Sequence, residues 1–183
     1  MHSRSPSGPS GDIDPLENET NARVLDHQPN GMIQAITENG LYLIRIRTAV
    51  AAGQTHSPGI SLELSTVNVL GRTRHRDLTV MAQAELKEVV KGVLTDCPEM
   101  CLSFYNRAGN LTLKMHSFQL LNGIGNSKAL SMVEERGRTG WETIQALDEA
   151  CEIDSADLLA DRLCQELADS HMTPNLLELL IRA

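Results

Sequence analysis

A chain of 183 residues has room for one ordinary domain and some extensions, because single cores usually span roughly 100–150 residues. Its composition, 41% hydrophobic and 22% charged, is that of a globular protein, but with only 3% aromatic residues it lacks the rows of rings that stack unpaired bases. The formal charge of −8 argues against a general binder of nucleic acid or anionic membrane, since both are recognised chiefly by Lys and Arg.

Charge is uneven along the chain: residues 31–136 carry eleven basic and nine acidic side chains, whereas residues 137–183 carry three and ten. Residues 1–30 are rich in Ser, Pro, Gly, Asn and acidic residues and hold few large apolar side chains, which predicts a disordered tail. Leu41 to Arg47 and Ile60 to Ser65 alternate apolar with polar residues, as strands with one buried face do, and Val67 to Leu70 continue the pattern. Gly71 and a basic run, Arg72-Thr73-Arg74-His75-Arg76, follow. Ala82, Leu86, Val89, Val90 and Val93 recur at helical spacing, with Thr79 as N-cap and Pro98 as stop.

Beyond that helix, Leu102 to Tyr105 and Leu111 to Met115 read as a hairpin around Gly109, and Ala129 to Val133 as a last strand. The final 45 residues read as helices: Thr139-Gly140-Trp141-Glu142 matches a capping box, Asp154 or Ser155 can cap a second helix, and Thr173-Pro174 can open a third. The expected organisation is a tail over 1–30, an α+β domain over 31–137 and an acidic helical region over 138–183. The order strand, strand, helix, strand, strand, strand is that of a ubiquitin-like roll, a mixed sheet around one helix.

No catalytic triad elbow, Walker loop, dinucleotide fingerprint or H-E-x-x-H motif is present, and the six histidines are scattered singly. Cys97, Cys101, Cys151 and Cys164 lack the spacing of a zinc site and read as reduced thiols. No catalytic group, metal or cofactor is therefore expected. The absence of a signal-like start and of an apolar run of about 18–20 residues predicts an intracellular protein, cytoplasmic or nuclear, with no membrane span. The candidate partner-binding residues are Arg72, Arg74, His75 and Arg76, because guanidinium forks suit carboxylate and phosphate oxygens, joined by Lys87 and Lys91 four apart on the helix.

The middle of the chain resembles the CIDE-N domain of DNA-fragmentation-factor and cell-death-inducing effector proteins. Val67-x-Val69 with Arg72, Arg74 and Arg76 looks like the family's first strand and basic turn, and Leu86 to Lys91 like its single helix. Leu102-x-Phe104, Gly109 and Phe118 to Leu121 resemble its hairpin and aromatic turn, and Met132 to Gly137 with Trp141 its closing strand and tryptophan. Where the family carries acidic residues this chain has Asn106, Arg107, Asn110 and Lys114. The resemblance implies a non-enzymatic regulatory interaction module, controlling a DNA-fragmenting nuclease in cell death through homotypic pairing of a basic face. The acidic C-terminal helices suit a basic partner. The alternative expectation is a self-assembling structural protein, such as a viral matrix or coat subunit.

Overall fold

Residues 13–49 and 54–183 are described by the computed structural model, an α+β fold with a five-stranded antiparallel sheet and several helices. Strands β1 (Asn21–His27), β2 (Met32–Thr37) and β3 (Leu43–Arg47) form a meander. Strand β4 (Ser61–Glu63) pairs with β1, and β5 (Asn68–Arg72) with β3, giving the order β4-β1-β2-β3-β5.

The two edge strands, β4 and β5, are neighbours in the chain, with only residues 64–67 between them, and Leu64–Thr66 are wound into a 3₁₀ turn. Four gaps of about 4.8 Å would hold the edges of a flat sheet ~19 Å apart, whereas a 3₁₀ turn advances only ~2 Å per residue. The sheet therefore curls until its edges converge. Its concave side encloses a small core, Ala22, Val24, Ile33, Ala35, Ile44, Ile46 and Leu62, flanked by Leu64, Val67 and Val69.

The expected tail over 1–30 is corrected by this topology. Residues 1–12 lie outside the described residues, but β1 is an interior strand with Val24 and Leu25 fully buried on opposite sides of the sheet. At the β1–β2 connection Gly31 has φ +85°, and a Cβ there would lie 2.7 Å from the carbonyl oxygen of Thr48. Gly31→Ala combines a left-handed backbone with a clash against main chain, so it is expected to cost about 1–3 kcal/mol, read as a lowered urea midpoint.

The helices are α1 (Val80–Asp96), α2 (Pro98–Arg107), α3 (Asn126–Arg136), α4 (Ile144–Cys151) and α5 (Ser155–Ala168), with a small hairpin of β6 (Asn110–Thr112) and β7 (Met115–His116) after α2. Thr79 caps α1 as expected, its hydroxyl accepting from the Ala82 N–H at 3.1 Å, and Asp154 caps α5. Pro98 does more than stop α1. It stands at the first position of α2, where its missing N–H costs nothing.

Leu102 to Tyr105, expected as a strand, thus lies in α2, whose buried residues Cys101, Phe104 and Tyr105 follow helical spacing. Ala129 to Val133 is likewise helical, with Ala129 and Met132 buried. With these strands gone and every pairing antiparallel, the expected mixed sheet around one helix is not the arrangement found. The helix expected from Thr139 starts later, capped by Thr143, and the chain after Pro174 forms a single π-turn, Leu177–Ile181. Nor do residues 138–183 stand apart. Leu147, Leu159 and Leu163 share one core with Leu86 and Val90 of α1, Phe104 of α2, and Leu25, Ile36 and Leu43 from the outward side of the sheet.

Candidate functional site

On β3, Ile44 and Ile46 point into the curled sheet, so the intervening Arg45 and Arg47 point outward and are exposed. Cross-strand partners share a face, which sets Arg45 beside Gln34 and Arg47 beside Met32. Gln34 is the hinge of the arrangement: its Oε1 accepts from the Thr79 N–H at 2.8 Å and its Nε2 donates to the Asp77 carbonyl at 3.1 Å. It thereby fastens the turn before α1 across the outer face of β2.

Between sheet and turn lies a groove of about 460 Å³, lined by Met32, Gln34, Arg45, Arg72, Thr73, Arg74 and Asp77. Arg74 is bonded to Asp77 at 3.1 Å, both side chains being exposed. Among the described residues no carboxylate pairs with Arg45, Arg47, Arg72 or Arg76. Other arginines are committed inside the fold. Arg23 holds Glu38 and Asp96, Arg136 donates to the carbonyls of Tyr105 and Ala108, and Arg162 pairs with Glu166.

Four of the six residues expected from sequence, Arg72, Arg74, His75 and Arg76, therefore flank this groove or the cleft that continues from it between the basic turn and the C-terminal segment. Lys87 and Lys91 are elsewhere. They sit at the α1–α5 contact, where Lys87 Nζ lies 3.2 Å from Asp157 and 3.8 Å from Asp161, and Lys91 Nζ 2.7 Å from Asp154 and 3.6 Å from Asp157. Hydrogen bonds donated by Lys87 to Asp157 and by Lys91 to Asp154 raise the two lysine pKa values, and Lys91 in turn holds the Asp154 carboxyl below its usual value although burial opposes this.

By linkage the Asp154 contribution to stability is complete above the ordinary carboxylate pKa and fades as pH falls through the lowered one. The lysine contributions are complete below the ordinary lysine pKa and fade as pH rises through the raised ones. Because these groups are substantially exposed, replacing both lysines by Ala is expected to cost under about 1 kcal/mol in a urea melt and to leave ligand binding at the arginine groove unchanged.

Sequence reasoning passed over Arg45 and Arg47. Their signal was the polar phase of the β3 alternation, but that pattern does not tell which strand lies alongside. The cysteines offer little nucleophilic chemistry: burial pushes the thiols of Cys101 and Cys164 up to about 12 and raises those of Cys97 and Cys151. All four are free. No helix among the described residues is long and apolar enough to cross a membrane.

The Gly-rich segment that follows Leu121 turns through Gly123, at φ +78°, into α3, whose first N–H groups have no side-chain cap.

The fold and groove define a class of protein: a small curled antiparallel sheet with an arginine-lined outer groove and a helical bundle packed against it. Within that class, residues 17–176 match the family described as Protein of unknown function (DUF655), and the chain belongs to this family. A relative described as an uncharacterised protein of Methanocaldococcus jannaschii is 22% identical over 175 residues, covering 85% of this chain and 77% of the relative. The crystal structure of Af1531 from Archaeoglobus fulgidus, of the same family, superposes with a TM-score of 0.76 at 21% identity, over 90% of this chain and 100% of that one. The likeness is one of fold.

This membership overturns the CIDE-N resemblance, and the implied control of a cell-death nuclease goes with it. The physical reason is in the elements. The resemblance required strands at Leu102 to Phe104 and at Met132 to Arg136, both of which are helical.

Proposed function

We propose that this chain is a non-enzymatic binding protein that holds single-stranded nucleic acid in the groove between the outward side of β3, the end of β5 and the basic turn before α1. The observation that carries this reading is the gathering of Arg45, Arg47, Arg72, Arg74 and Arg76 along one side of the fold, with Asp77 the one carboxylate lining the groove. Guanidinium forks hold phosphate oxygens, and single strands are commonly held by a positively charged groove that tracks the backbone. The strand order, with β1 to β3 a meander flanked by β4 and β5, is similar to that of a partly open OB-type barrel, whose second and third strands form the usual ligand face. A fold alone does not assign a function, so the arginines bear the weight.

The charge of −8 and the shortage of aromatics, which argued against nucleic acid, take on another sense beside this geometry. Acidic residues concentrate after residue 137, and a polyanion responds to the local field rather than to the sum. Of the five aromatic side chains, Phe104, Tyr105, Phe118 and Trp141 are buried and only Tyr42 is half-exposed. Base stacking is then a minor contribution and phosphate contacts dominate.

Fluorescence anisotropy with labelled single-stranded RNA, single-stranded DNA and duplex DNA tests the reading. Single strands are expected to bind with steep salt dependence and the duplex more weakly. Equal failure of all three ligands at low salt would refute it. The acidic protein partner expected from sequence uses the same arginines, and its capture in place of oligonucleotides would favour that alternative.

A further inference from the structure

A second depression adjoins the groove: a cleft of about 710 Å³ between the basic turn and the C-terminal segment, within the size range of sites for small organic ligands. Arg72, Thr73 and Arg74 line both, so a strand lying in the groove enters the cleft without leaving the arginines. The two differ in chemistry. The groove offers guanidinium groups, which hold phosphates whatever base is attached. The far wall of the cleft carries Ser170, Asn175 and Glu178, and Tyr42 lies on the near side with Arg182 over its ring at 4.2 Å.

These far-wall groups keep hydrogen-bonding capacity. Asn175 Oδ1 accepts from the Glu178 N–H at 3.0 Å, which leaves its amide NH₂ unused. One Glu178 oxygen accepts from Arg182 at 2.9 Å, which leaves the other. Among the described residues the exposed Ser170 hydroxyl makes no hydrogen bond. Donor amide, carboxylate oxygen and hydroxyl around a half-exposed aromatic ring are the means by which proteins read the edges of an unpaired base.

Resting on the nucleic-acid reading above, we infer that this cleft seats one unpaired nucleotide, its phosphate on Arg72 and Arg74 and its base against Ser170, Asn175 and Glu178, and that it confers base preference on an otherwise indifferent groove. The nucleotide is part of the bound strand or a free mononucleotide.

The test compares RNA homopolymers of A, C and U by anisotropy, with AMP and UMP as competitors. Two variants probe the cleft. Ser170→Trp fills it from an exposed position without removing an internal hydrogen bond. Asn175→Ser keeps an acceptor for the Glu178 N–H while deleting the amide donor. The parent is expected to prefer one homopolymer by at least about threefold, and both variants to reduce that preference while retaining most of the affinity and the salt dependence. Competition by a mononucleotide that disappears in Ser170→Trp assigns the free ligand, and its absence with the homopolymer preference intact assigns the strand. Equal binding of all homopolymers by the parent overturns the inference, as does a preference unchanged in the filled variant. Complete loss of binding in Ser170→Trp also overturns it, because the cleft would then supply the backbone contacts assigned to the groove. If the parent binds no oligonucleotide, the function reading itself fails along with it.

Discussion

Reversing Arg45, Arg72 and Arg74 together to glutamate is expected to weaken binding of single-stranded oligonucleotides by about a hundredfold or more while leaving the fold intact. These side chains are exposed and take no part in either core, so each change should move stability by under ~0.5 kcal/mol. Their effect on a polyanion is different in kind. Each phosphate neutralised on a single strand contributes about −0.7 to the slope of log K against log salt, so five arginines give about −3.5 and the two that remain about −1.4. A fourfold rise in salt should then weaken the parent roughly a hundredfold and the variant by less than about tenfold. Anisotropy at several salt concentrations, with circular dichroism as control, reads both numbers. A parent slope near zero, or a reversed variant that binds like the parent, would show that the arginines only face solvent.

The largest effect on stability is expected at Glu166, on the wall of the cleft that faces the basic turn. This carboxylate on α5 is fully buried, and its partner Arg162, one turn before it, is nearly so. One oxygen accepts from Arg162 Nε at 3.0 Å and from the Leu176 N–H at 2.9 Å, the other from the Leu177 N–H at 3.0 Å, and Arg162 reaches on to the Pro174 carbonyl at 2.8 Å. The pair thus satisfies the main chain of the C-terminal segment and places Leu176 and Leu177 in the core. Glu166→Ala would leave a buried guanidinium without a counter-charge and two amides without acceptors, a loss of about 3–5 kcal/mol. Glu166→Gln keeps one acceptor and should lose less. Urea melts of both variants decide it, and an alanine variant within about 1 kcal/mol of the parent would mean that water replaces the carboxylate at no great cost.

How much was legible varied with the range of the interaction responsible. Helix α1 could be read with its cap because Thr79 and the spacing of Ala82, Leu86, Val89, Val90 and Val93 are local signals. The third to fifth strands could be placed within a few residues, since alternation is a property of the strand itself. Strand β1 escaped because its alternation over Asn21 to Val24 is short and is broken by the register shift between Val24 and Asp26, and β2 because it hardly alternates at all. Residues of β2 from Ile33 to Thr37 are all buried, the sheet covering one side and the helices the other, so polar phases such as Gln34 are hidden by tertiary bonds. Leu102 to Tyr105 misled for the opposite reason: a run of apolar and aromatic residues behind a proline suits a strand or the first turns of a helix equally well.

The sequence by itself determined helix α1 with its cap, the cap of α5 and the presence of a basic run at Arg72 to Arg76, because each depends on residues a few positions apart. Only the tertiary structure decided which cations are available. Pairing of β3 with β5 sets Arg45 opposite Gly71, beside that run across about 27 residues of chain, while packing of α5 on α1 ties Lys87 and Lys91 to Asp154, Asp157 and Asp161 more than 60 positions away. Charge acts through space and is set by the neighbours a side chain meets, so no count along the chain could distinguish arginines lining a groove from two lysines locked into a helix contact.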